Sequence, residues 1–224
     1  VNSTPALVDS NDREHIANYL PTHAAFNHVI LKMDFFGQEF WVDATQNYQS
    51  TDLFKLHQPD YGKTLLVNEG ATELSNATPR DQDFGVVVNE EVSIIDYQSP
   101  ATLTIESQYQ GMNAERQRQK WAQQGVQQHA KEFLAYYSTM YPTIRQMKLP
   151  EVNDNRDKNV FTIVEHYVIP SFFKIDDNLD ANYSWYADLI YNYFKSPQVK
   201  QRNAPLRLSH PLRIEHNLIL NFPE

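Results

Sequence analysis

Residues Phe26–Thr45 read FNHVILKMDFFGQEFWVDAT, two runs rich in aromatic and branched residues that meet at Phe36-Gly37. Such residues favour pleated strands, and glycine at the junction supplies the positive φ that a tight hairpin turn needs. With the turn centred on Phe36 and Gly37, Ile30 faces Asp43 and His28 faces Thr45. Strand alternation then sets His28 and Asp43 on one face as diagonal neighbours, roughly 7–8 Å apart along the backbone and within side-chain reach. In that position the carboxylate accepts the imidazole Nδ1 proton, fixes the tautomer and leaves Nε2 directed at a third group. A register shift of one residue separates the two onto opposite faces. An ordinary hydrogen bond between neighbouring strands fits the same residues, so a catalytic and a structural reading both stand at this point.

The chain has 224 residues, 41% of them hydrophobic, enough for one sizeable core or two small ones. Two modules are expected. A formal net charge of -9 without a dense Lys/Arg cluster argues against a nucleic-acid groove or an anionic membrane surface, which require concentrated positive potential. Cysteine is absent, which removes disulfides, thiolate metal sites and a thiol nucleophile from this chain. No apolar run reaches the roughly 18 residues of a membrane span. The sequence opens at Val1 and closes on Asn-Phe-Pro-Glu, and both ends read as cut from a longer protein.

Outward from the hairpin, Pro5–Val8 reads as a short strand, followed by a polar loop with one helical turn. Tyr48–Tyr61 is irregular, and Lys63–Asn68 is a strand closed by Glu69-Gly70. The polar stretch Asn76–Asp83 reads as a linker, dividing residues 1–80 from 81–224. Beyond it, Glu90–Asp96, Ala101–Tyr109, Thr143–Leu149 and Asn159–Ile169 read as strands. Between them, apolar residues recur at three- to five-residue spacing from Trp121 to Met140, predicting one amphipathic helix over about 113–140. Tyr183–Phe194 fits a helix or an aromatic strand, and the tail LRLSHPLRIEHNLILNF a strand pair broken at Pro211. The expected class is α+β, with the second module mostly antiparallel, β-sandwich-like and interrupted by one long helix.

The eight histidines show no H-E-x-x-H and no helical ligand spacing, so neither a metal nor another cofactor is expected. Trp41 precedes Asp43 by two residues and shares its face, where it either covers the pair from water or serves as a plain core residue. Asn27 points away and reads as structural. The rings of Trp185, Tyr186, Tyr191, Tyr193 and Phe194 suit packing, or stacking on carbohydrate or peptide; Arg116, Arg118 and Lys120 read as solvated surface.

FNHVILKM, FWVDAT and LHQPDYGKTLLVNEG together resemble the histidine and aspartate half of the transglutaminase-like superfamily, in the form found in large bacterial multidomain proteins. In that family the His phrase reads F-N-H-x-I and the Asp phrase aromatic-aliphatic-Asp-x-T, which His28 and Asp43 match. The resemblance covers about Pro5–Thr78; a weaker likeness to the β-rich module that follows this core extends to HPLRIEHNLILNFPE, with Arg202 and Pro205 ahead of it. It implies a papain-like site in which a Cys thiolate attacks, His28 takes its proton and Asp43 orients the ring. His57, in the loop after the Asp strand, is implied to line the substrate groove. PALVDS resembles the strand after the nucleophile helix, so the cysteine is expected on a missing amino-terminal portion of the same protein. The implied function is a fragment of a peptidase or amide-crosslinking acyltransferase, inactive alone, acting in the parent on protein or peptide substrates. A periplasmic or cell-envelope location is implied as well. The other expectation is a non-catalytic binding or scaffolding module.

Overall fold

The protein's structure, a computed structural model, describes residues 2–77, 84–175, 177, 180–194, 201, 203 and 212–223. It divides into two compact units, Val1–Asp83 and Phe84–Glu224. With 19% helix and 40% strand, the class is α+β and mostly β, as the sequence predicts.

The first unit contains β1 (Asn2–Val8), β2 (His28–Phe35), β3 (Gln38–Val42), β4 (Gly62–Leu66) and β5 (Ser75–Ala77). They form one antiparallel sheet in the order β3-β2-β1-β4-β5. The β2–β3 hairpin turns at Phe36 and Gly37, with φ of 50° and 73°, the double positive φ whose twist matches flanking strands. Its pairs run from Phe35–Gln38 to Leu31–Val42, the register predicted from the turn. Central β1 aligns Val8 with both His28 and Thr64, and Ala6 with Ile30 and Leu66. Ala6, Val8, Ile30, Trp41, Tyr61 and Ala77 cluster as a buried apolar patch. His28 and Asp43 stand at the end of this patch, on the face that Ile30 and Trp41 occupy.

The second unit contains β6 (Gly85–Ser93), β7 (Ala101–Gln110), α1 (Met112–Gln123), α2 (Val126–Ser138), β8 (Arg145–Asn155) and β9 (Val160–Ile169). A minor hairpin of β10 (Lys174–Ile175) and β11 (Ala181–Asn182), the short helix α3 (Asp188–Tyr191) and β12 (Ile214–Asn221) complete it. The main sheet has the order β12-β6-β7-β9-β8; β12 runs parallel to β6, and the other neighbours are antiparallel. In β9 every second residue is buried, from Phe161 to Ile169, the period-two signature of a half-covered strand.

Three features differ from the sequence expectations. The predicted long helix is two helices, because Gln124 is extended at φ -133° and ψ 147° and Gly125 restarts the chain as the N-cap of α2. The helices, with Tyr137 and Tyr141 among the core residues, pack on the sheet, where a sandwich would have a second large sheet. Tyr183–Phe194 is mainly irregular around the single turn of α3. The predicted linker falls largely at 78–83 and the first half of the predicted tail pair at 206–211, outside the described residues.

Candidate functional site

Asp43 follows the last residue of β3, where the chain leaves the sheet, and its carboxylate gathers five hydrogen bonds. Oδ1 accepts from the Thr45 amide at 3.0 Å and the Thr45 hydroxyl at 2.7 Å. Oδ2 lies 2.9 Å from His28 Nε2, and accepts from Gln46 Nε2 at 3.1 Å and the Tyr61 hydroxyl at 3.2 Å. The Thr45 bonds form an Asx turn, which Asp favours because its short carboxylate reaches an amide two residues on. The side chain of Asp43 is 2% exposed and that of His28 26%, so the carboxylate is interior and the imidazole edge reaches the surface.

Burial pushes the Asp43 carboxyl up, but the Thr45 hydroxyl and amide, the His28 ring and the Gln46 amide outweigh it and hold the group down at about 2. Asp43 is therefore ionised near neutrality and acts only as an acceptor, so Nε2 of His28 carries the proton of that bond. The neutral ring then has its lone pair on Nδ1. This reverses the expected orientation: Nε2, not Nδ1, faces the carboxylate, because the diagonal from the first residue of β2 presents the far ring nitrogen to Asp43. Nδ1 has no hydrogen-bond partner among the described residues.

Trp41 is buried on the same face, within the apolar patch. Its indole donates to Glu39 Oε1 at 2.9 Å, and Lys32 Nζ lies 5.8 Å from the ring centre. His57 is half-buried in the loop before Tyr61. The ring that His28 meets is that of Tyr61, with centres 6.1 Å apart. Asn27 bridges instead, its side-chain oxygen accepting from Ser10 N at 3.0 Å while its own amide donates to Val8 O.

Tyr61, Thr45 and Gln46 are the partners that sequence reasoning missed. Thr45 carries a local signal in the spacing Asp-x-Thr, and Gln46 is the next residue in the chain. Tyr61 carries none, since only closure of the 46–61 loop brings its hydroxyl to Asp43 and its ring centre to 6.1 Å from that of His28. Burial and the neighbouring Asp43 charge push the Tyr61 phenol well above its ordinary range, so it remains a donor. Among the described residues, no group of three or more His, Cys, Asp and Glu is arranged to hold a metal, and no helix is long and apolar enough to cross a membrane. Comparison with family models, curated proteins and solved structures gives no match.

Proposed function

We propose that the first unit supplies the general base and its orienter to a transglutaminase-like, cysteine-dependent acyl-transfer site. The observation that carries this reading is the His28–Asp43 pair at 2.9 Å, with Nε2–H committed to the carboxylate and Nδ1 left as a base. A thiol beside Nδ1 would pass its proton to the ring and attack an amide carbonyl carbon. The same proton goes to the departing amine as the C–N bond breaks, and water or a second amine then attacks the thioester and regenerates the thiol. The choice between them separates a peptidase from a crosslinker. The chain has no cysteine, so the proposal puts the thiol on polypeptide encoded ahead of Val1 and makes this chain inactive by itself.

The test is to restore the encoded upstream residues and assay peptide and thioester turnover. A cysteine opening a helix within about a hundred residues, the span of one ordinary domain, and turnover lost in His28→Ala are expected. An upstream sequence without cysteine, or turnover by the present chain that His28→Ala abolishes, would overturn the proposal.

The five bonds to Asp43 also favour a second reading, in which the pair only ties the 46–61 loop to the hairpin of a non-catalytic binding or scaffolding module in a bacterial cell-envelope protein. On that reading, His28→Ala in the extended chain lowers the melting temperature with no activity to lose.

A further inference from the structure

Around the single turn of α3 the second unit carries a surface pocket of about 510 Å³, lined by Tyr186, Ala187, Asp188, Ile190, Tyr191 and Phe194. That volume lies within the range of ligand-sized pockets. Its aromatic walls are left in water: Tyr186 is 70% exposed, Tyr191 64% and Phe194 58%. Asp188 and Tyr191, the first and last residues of α3, stand three apart and so on one side of the turn. Asp188 is the one charged residue of the lining, and its carboxylate makes no hydrogen bond or ion pair among the described residues. The backbone oxygens are already engaged: the carbonyls of Tyr186, Ala187, Asp188, Ile190 and Tyr191 accept the amides of Asp188, Tyr191, Asn192, Tyr193 and Phe194 in turn. Beside the pocket, the Tyr136 phenol of α2 is raised chiefly by burial and further by the Asp188 and Glu90 carboxylates, so the local potential is negative.

We propose that this pocket binds a small methylated ammonium ion, through cation–π contact with Tyr186, Tyr191 and Phe194 and through the charge of Asp188. A cation fits because aromatic faces are negative and the lining sets one carboxylate among them with no positive group to offset it. An anion would meet that carboxylate, and an uncharged apolar ligand would cover it without supplying a counter-ion.

The supply of acceptors selects the methylated form. A bare ammonium is strongly hydrated and brings three N–H donors, which would exchange water for one carboxylate and the phenol oxygens, since the carbonyls around α3 are taken. A fully methylated ammonium has no donor to satisfy, sheds its water more readily, and covers the exposed rings with its methyl groups. The pocket residues belong to the second unit and share none with the His28–Asp43 site, so either outcome at this pocket leaves the catalytic reading untouched.

NMR titration of the full chain with three related probes tests this: choline; its carbon isostere, in which a tert-butyl group replaces trimethylammonium; and ethanolammonium, which is choline without the methyl groups. Choline should shift the amides of residues 186–194 saturably and bind about tenfold more tightly than either of the others. Asp188→Asn and Tyr191→Leu should each weaken choline binding about fivefold, with the amide signals of the main sheet unchanged. The comparison of probes uses the unaltered protein and stands even where a variant misfolds. Equal binding of the carbon isostere would reduce the pocket to an apolar hollow, and equal binding of ethanolammonium would reduce it to a plain charge contact. Either result, a choline shift that does not saturate at these amides, or undiminished binding by a folded Asp188→Asn variant would overturn the proposal.

Discussion

Asp43 joins chemistry and stability in one carboxylate, and its pH dependence separates them. Its folded-state value, held at about 2 against an ordinary 3.8, contributes stability that is complete above pH 4 and lost as the pH falls through 2. The shift corresponds to about 2 kcal/mol. Asp43→Asn should therefore lose about 2 kcal/mol in urea unfolding at pH 7, and its difference from wild type should shrink between pH 4 and 2. Glu165 has the opposite sign. Raised to about 7 from 4.5, it is unfavourable to folding once the unfolded chain ionises, from pH 4.5 upward, and the cost levels off above 7 at about 3 kcal/mol. Glu165→Gln should consequently be more stabilising at pH 8 than at pH 5, read as the difference in melting temperature at each pH. At this scale the sequence exposed His28 and Asp43, which are close in the chain. It concealed Tyr61 and Arg118, whose meaning depends on what lies opposite. Arg118, expected to be solvated, is 3% exposed and bonds Asp154 at 2.6 Å and Asn159 at 2.7 Å, because its side of α1 turns toward β8 and β9.

Elements fail or hold at their turns. Gly37 has φ of 73° with open space where a Cβ would sit, so Gly37→Ala should cost only the backbone strain, about 1–2 kcal/mol. Gly62 has φ of 63°, and a Cβ there collides with the backbone of Arg13 and Glu14 in the short 3-10 helix Arg13–Asn18. Gly62→Ala should be the more damaging, displacing β4 or that helix; comparing the two variants by chemical denaturation checks the order. The break between α1 and α2 illustrates the limit of periodicity. Apolar spacing continues across Gln124-Gly125, so the pattern reads as one helix although glycine marks the restart. Gly125 makes no side-chain cap, and Gly125→Ser should donate one to α2, stabilising the protein by a few tenths of a kcal/mol in thermal unfolding.

At the scale of the molecule, each unit has its own apolar cluster, the larger one built by β6, β7, β9 and the residues around α2. Residues 84–224 expressed alone should unfold cooperatively on heating; a non-cooperative melt would show that this core depends on the first unit. The sequence by itself determined what is local: the hairpin and its register, the period-two strands, the mostly β class and the face shared by His28 and Asp43. Backbone sterics at Phe36-Gly37 and the alternation of side chains act within a few residues, so they are written in order along the chain. Tertiary structure alone decided which imidazole nitrogen meets Asp43, that Tyr61 closes over it, and that β12 lies parallel to β6. Those outcomes depend on the direction in which distant segments arrive and on the burial they jointly create, and neither quantity exists until the sheet has formed.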